Sequence, residues 1–173
     1  MAADPFREGL AAARRGDFAA AARLWEALAV NGDPRAQYNL GYLHANGQGV
    51  PRDYARALQW YTRAASQGFA AAQFNLGVLL SSGEGITPDL PAAIEWYRKA
   101  AAQGDADAEY NLGIAFASGQ GVPEDFVAAW RWYRRAASRG HAGAARTLEG
   151  LEAEMTAEQL AEARRAPAAD GPG

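Results

Sequence analysis

Gly32-Asp33-Pro34-Arg35-Ala36-Gln37-Tyr38-Asn39-Leu40-Gly41 returns 36 residues later as Gly68-Phe69-Ala70-Ala71-Ala72-Gln73-Phe74-Asn75-Leu76-Gly77. It returns again as Gly104-Asp105-Ala106-Asp107-Ala108-Glu109-Tyr110-Asn111-Leu112-Gly113, and a decayed copy opens at Gly140. Other columns keep the same step: Asp17, Asp53, Asp89 and Asp125; Trp60, Trp96 and Trp132; Tyr61, Tyr97 and Tyr133. So do the glycine pairs Gly47 and Gly49, Gly83 and Gly85, Gly119 and Gly121. A fixed period of this length marks a solenoid, in which each unit buries its apolar face only by stacking on its neighbours.

Within one unit the residues spell two helices. After Gly32, Ala36, Leu40 and Leu43 fall at helical spacing, and Asp33 followed by Pro34 makes an N-cap with proline at the first helical position. This helix A runs to Ala45. The loop Asn46-Gly47-Gln48-Gly49-Val50-Pro51-Arg52 breaks it, because its glycines favour positive φ and Pro51 cannot continue a helix. Asp53 caps helix B, whose stripe of Tyr54, Ala57, Leu58, Tyr61, Ala64 and Ala65 ends at Gly68. The next units repeat the plan as Phe69 to Ser82 with Asp89 to Gln103, and Asp105 to Ser118 with Asp125 to Arg139.

The ends depart from the repeat. Phe6 aligns with Tyr38, Gly9 with Gly41, Asp17 with Asp53 and Trp25 with Tyr61, across a shorter interhelix loop. At the other end, His141 to Glu154 reads as an unpaired helix A, and Thr156-Ala157-Glu158-Gln159 as a capping box opening a last helix to Ala166. The expected organisation is one array over residues 1–166, with units at about 4–31, 32–67, 68–103 and 104–139 and capping helices over 140–166. The tail 167–173 has nothing to bury and is expected to be disordered.

Composition narrows the functions. With 173 residues, 49% hydrophobic and 21% charged, the chain fills one continuous core and leaves little for a second, catalytic domain. It has no cysteine, so neither a disulfide framework nor a thiolate metal site. A net charge of -3 gives no general attraction to phosphate backbones or anionic lipid, and no apolar run reaches the roughly 20 residues of a membrane span. The amino terminus lacks the apolar core of a secretory signal. The expected location is the cytoplasm, or the periplasm if a leader has been removed; no cofactor, metal, nucleic acid or membrane partner is expected, and the oligomeric state stays open.

Motifs that carry chemistry elsewhere fail here. The Gly-x-Gly loops are followed by no Lys-Ser/Thr and preceded by no strand, so they are turns rather than phosphate cradles. His44 and His141 have no carboxylate at metal-ligand spacing and read as surface or packing residues. No nucleophile elbow occurs, and the residue three before Lys99 is Trp96, so there is no Ser-x-x-Lys pair. Arg131, Arg135 and Arg139 share a helix face, and Arg63, Lys99 and Arg135 form a column between repeats. Those three cations fall in the last turns of their helices, where they complement the helix dipole. The three tryptophans read as repeat-core positions, since an aromatic cage would have to be built three times over. Gly41, Gly77 and Gly113, inside helices, point to close approach of helices A and B.

Together, Leu-Gly in helix A, the Gly-x-Gly-Val/Ile loop, the aspartate cap and the Trp-Tyr-x-Arg/Lys-Ala-Ala segment of helix B resemble the Sel-one-like repeats, relatives of the tetratricopeptide repeats. The resemblance covers residues 32–139 closely and 4–31 in a shortened form. It implies an all-α fold, a right-handed α-solenoid of antiparallel helix pairs, serving as a non-catalytic scaffold or adaptor for a protein or peptide. In the related repeats the residue before the Leu-Gly leucine faces the ligand groove, which implies Asn39, Asn75 and Asn111, with Arg7 at the matching place. An asparagine there can offer both a donor and an acceptor to an extended peptide backbone. The same register implies Arg35, Tyr38 and Tyr42 in one unit, Phe74, Val78 and Ser81 in the next, and Asp107, Tyr110 and Ile114 in the third. The alternative is a regulatory or inhibitory subunit working through the convex face or the terminal helix. Cysteine-rich members linked to penicillin recognition and hydrolysis offer a third reading, but this chain has neither their cysteines nor an evident nucleophile.

Overall fold

In a computed structural model of the protein, residues 4–165 are described. Among the described residues are ten α-helices and no strand. They fall into two compact units that divide between Pro88 and Asp89. The first holds α1 (Pro5–Arg14), α2 (Phe18–Val30), α3 (Pro34–Asn46), α4 (Tyr54–Ser66) and α5 (Ala70–Ser82). The second holds α6 (Leu90–Ala102), α7 (Ala106–Ser118), α8 (Phe126–Ser138), α9 (Ala144–Glu154) and α10 (Ala157–Arg165).

Each unit is a stretch of all-α helical repeat. In the first, α1 packs on α2 and α3 on α4 as helix pairs, while α2 against α3 and α4 against α5 join successive repeats. In the second, α7 pairs with α8, and α6 packs on α7 and α8 on α9. Aspartates start the B helices as their column requires: Asp17, Asp53, Asp89 and Asp125 each accept a hydrogen bond from the backbone N–H three residues on, at 2.9 to 3.0 Å. Each such cap stabilises its helix by about 1 kcal/mol. Asp33 caps α3 in front of Pro34, with Oδ1 accepting from Arg35 and Ala36.

The Leu-Gly glycines make room for an aromatic ring. A Cβ on Gly41 would lie 2.6 Å from Tyr61 Cδ1, and one on Gly113 2.5 Å from Tyr133 Cδ1; Gly9 meets the Trp25 indole in the same way. Helix A therefore lies flat on the ring that helix B presents, and Trp25, Tyr61 and Tyr133 are all buried. Alanines supply much of the remaining core, with Ala36, Ala57, Ala64, Ala72, Ala108 and Ala136 fully enclosed.

Two expectations need amendment. The helix expected from His141 begins at Ala144: where Asp33 and Asp105 cap their helices, His141 stacks its ring on Tyr110, and residues 141–143 form a turn instead. The tryptophans are not uniformly core. Trp132 is buried, but Trp60 and Trp96 are half-buried, and the buried aromatic column is the neighbouring Tyr61, Tyr97 and Tyr133. The capping box is present, with Thr156 N–H donating to Gln159 Oε1 at 2.9 Å and Gln159 N–H to Thr156 Oγ1 at 3.2 Å. Its helix packs against α8, closing the second unit. The tail 167–173 lies outside the described residues.

Candidate functional site

The helix A residues sort by register into a packed seam and an exposed row. Tyr38 is half-buried, its ring 6.0 Å from Tyr61 and 5.4 Å from Phe69. Tyr110 repeats the arrangement in the second unit, 5.4 Å from Tyr133 and stacked at 4.1 Å on His141. Phe6 continues it at the amino end, against Trp25 and beneath the Arg35 guanidinium at 4.2 Å. Phe74 is half-buried at the same position. The exposed row lies four residues further on. Tyr42, Val78 and Ile114 are 43%, 38% and 40% exposed and, with Val30, are the exposed large hydrophobics among the described residues.

Each of the three asparagines follows a seam aromatic in the chain, across the exposed row from it on the helix face. Asn39, Asn75 and Asn111 are each half-buried. The Asn75 amide donates to the Tyr38 hydroxyl at 3.4 Å, and in the second unit Thr147, one repeat step beyond Asn111, meets the Tyr110 hydroxyl at 3.0 Å. Arg7 and Arg35 are exposed, Arg7 reaching Asp4 at 3.4 Å and Arg35 pairing with Asp33 at 2.6 Å. The Arg35 hydrogen bond holds the Asp33 carboxyl below the usual carboxylate range. Ser81 donates to the Val78 carbonyl, and Asp107, exposed, lies 3.4 Å from His141 Nε2. Burial pushes the Tyr61 hydroxyl well above its ordinary pKa and the Tyr133 hydroxyl up to about 12, with the neighbouring tyrosines adding to both shifts. Burial thus favours the neutral form of both phenols.

Between α3 and α5 the exposed row opens into a pocket of about 200 Å³. Tyr42, Asn75 and Val78 line it from the predicted set, joined by Tyr54, Tyr61 and Glu84. Tyr54 and Glu84 escaped sequence reasoning, although a signal was there. Their columns read Phe18, Tyr54, Leu90, Phe126 and Gln48, Glu84, Gln120, and only where Tyr54 of one repeat meets Glu84 of the next does a hydroxyl stand in one column and an acid in the other. The Tyr54 hydroxyl donates to Glu84 Oε2 at 3.0 Å, and Gly85 lies directly against the Tyr54 ring. A second pocket of about 300 Å³ in the first unit is lined by Glu26, His44, Arg56, Trp60 and Arg63 among others. His44 is buried there as a packing residue, with Nδ1 3.4 Å from the Pro51 carbonyl.

The column of cations has work of its own. Arg63, Lys99 and Arg135 lie over the rings of Trp60, Trp96 and Trp132 at 4.8, 4.0 and 4.7 Å. Arg135 and Arg139 also reach the fully buried Glu109, and Arg131 donates to the Glu162 carbonyl. The cations of the column, and of the helix face that Arg131, Arg135 and Arg139 share, are thus engaged within the fold. No group of three or more His, Cys, Asp or Glu is placed to hold a metal ion among the described residues.

Comparison with known proteins agrees with this geometry. The Sel1 repeat family model matches residues 34–69, 70–105 and 106–141. A Sel1 repeat protein of Oxalobacter formigenes is 37% identical, with a TM-score of 0.78 over 85% of this chain and 59% of that one. A protective antigen of uropathogenic Escherichia coli strains, displaying an SLR fold, is 32% identical, with a TM-score of 0.81 over 85% of this chain and 32% of that one. The chain thus spans less than two thirds of either relative. Cysteine-rich protein B of Helicobacter pylori shares the fold, with a TM-score of 0.57 at 21% identity. A search of curated proteins gave no match.

Proposed function

Since the chain belongs to the Sel1 repeat family, whose members are generally non-enzymatic protein-interaction scaffolds, we propose that it is an adaptor that holds an extended segment of a partner protein against its A helices. One observation carries this reading. Exposing a large apolar side chain forgoes about 25 cal/mol for every Å² left in water, and the chain does so at one repeat position three times, with Tyr42, Val78 and Ile114. A position that served only stability would be polar there. One turn away stand Asn39, Asn75 and Asn111, whose amides suit a peptide backbone.

The test starts from a partner captured from lysate and then purified. The N39A/N75A/N111A variant is expected to keep its circular dichroism and melting temperature while losing about tenfold or more in affinity, the sum of hydrogen bonds of roughly 0.5 to 1.5 kcal/mol each. Undiminished binding by a folded variant sinks the groove reading. Loss of the fold shows the asparagines to be structural.

A further inference from the structure

We propose that the pocket between α3 and α5 binds a basic side chain, with Glu84 as its counter-ion. The inference rests on the groove reading above, since that side chain belongs to the bound partner. At about 200 Å³ the pocket falls below the roughly 300–1,000 Å³ typical of small-molecule sites, which fits a single side chain. Tyr42 and Tyr54 line it with aromatic rings, and Val78 and Leu79 with apolar surface. Glu84 is the one charged residue lining it. Among the described residues no cation pairs with that carboxylate, which accepts only the Tyr54 hydroxyl. A carboxylate beside tyrosine rings is the complement of a guanidinium or ammonium group, which gains from both the charge and the ring faces.

The chain's own repeats act as the control. Where the other loops carry Gln48 and Gln120, this one carries Glu84; where the other B helices open on Phe18, Leu90 and Phe126, this one opens on Tyr54. The two departures meet in one hydrogen bond of 3.0 Å. Neither is needed to build a repeat, because the neighbouring repeats are built without them. The Tyr54 hydroxyl and the Ser82 hydroxyl, which accepts from the Glu84 N–H at 3.3 Å, instead hold the acid at the pocket mouth.

The probe is acetyl-arginine methylamide, titrated into the whole ¹⁵N-labelled chain, with acetyl-citrulline methylamide as its uncharged isostere. The arginine probe is expected to shift amide signals of residues 42–46, 54 and 75–85 and to bind about fivefold more tightly than citrulline. Glu84→Gln restores a residue the chain already uses at positions 48 and 120, so it is expected to fold and to abolish the preference. Val78→Lys, at an exposed position, places a competing cation in the pocket and is expected to remove binding independently. Equal binding of the two probes, shifts confined elsewhere, or an unchanged preference in folded E84Q each overturns the proposal. The groove reading then stands or falls separately on the asparagine variant, whose readout is affinity for the whole partner.

Discussion

The same helix A position is occupied by Gln37 in the first unit and by Glu109 in the second, and the two units satisfy it with different chemistry. Gln37 is buried, donates from Nε2 to the Ala29 carbonyl at 2.9 Å, and accepts at Oε1 from Gln67 at 2.8 Å. Gln73 repeats the first bond, to the Ala65 carbonyl at 3.1 Å. Glu109 cannot donate from a carboxylate. It is fully buried, and its Oε1 accepts from Arg135 Nε at 3.0 Å and Arg139 Nε at 3.1 Å. Arg139 stands one repeat pair on from Gln67, so an amide pair in one unit has become an ion pair in the other. The backbone repeats while the chemistry at one position is free to change, provided that both members change together. A buried carboxylate without its cations would be far costlier than an unpaired amide.

The largest expected effect comes from breaking that coupling. Replacing both Arg135 and Arg139 by alanine leaves the Glu109 carboxylate enclosed with no cation, and should destabilise the fold by about 3 to 5 kcal/mol. The equivalent Gln67→Ala change in the first unit strands only an amide oxygen and should cost about 1 to 2 kcal/mol. Urea unfolding measures both. Equal losses would mean that Glu109 is not held by its charge partners, and the contrast between the units would collapse.

The next effect asks whether the units differ where they look alike. Gly41→Ala and Gly113→Ala each drive a methyl to within 2.6 Å or less of a buried tyrosine ring. Helix propensity favours alanine by about 1 kcal/mol, but overpacking a closed core costs roughly 1 to 3 kcal/mol. Both variants should therefore melt lower, by similar amounts. A rise in melting temperature for either would show that its ring moves aside freely.

How much of this could be read in the sequence follows from what repeats. Columns at a step of 36 exposed the helix pairs, the aspartate caps and the glycines, since each is a local rule applied several times over. That Gly41 answers to Tyr61 was beyond reach, because contact between columns is set by how helices pack and not by spacing. The same holds for Tyr54 with Glu84 and for Glu109 with Arg139: each departure stands in the sequence, but its partner is named only by the fold. The start of α9 falls three residues after His141, because His141 occupies a capping position and stacks instead of capping, while its end at Glu154 is as the sequence reads. Recurrence in three repeats argues that Trp60 and Trp96 are core rather than a cage, but recurrence does not fix burial, and the cations one turn later let them stand at the core's edge.

The smallest expected effect is the most discriminating. The double change E109Q/R139Q gives the second unit the first unit's residues at both positions, and leaves Arg135 over Trp132 just as Arg63 lies over Trp60. Glu109 Oε2 is buried with no hydrogen-bond partner among the described residues. A glutamine puts an N–H donor in its place, and the Ala101 carbonyl stands eight residues earlier, the offset at which Gln37 and Gln73 find Ala29 and Ala65. Loss of the ion pair and gain of a satisfied amide should nearly cancel, leaving stability within about 1 kcal/mol of the parent, because well-packed neutral replacements of buried ion pairs are often neutral or stabilising. Chemical denaturation of the parent, both single variants and the double closes the cycle. E109Q alone should be mild, since Oε1 still accepts from Arg135. R139Q alone should be the worse single change, since it weakens the cation shell of an enclosed carboxylate. A double variant as unstable as R135A/R139A would mean that the ion pair does something in this unit that an amide pair cannot, and that the two units are alike in backbone only.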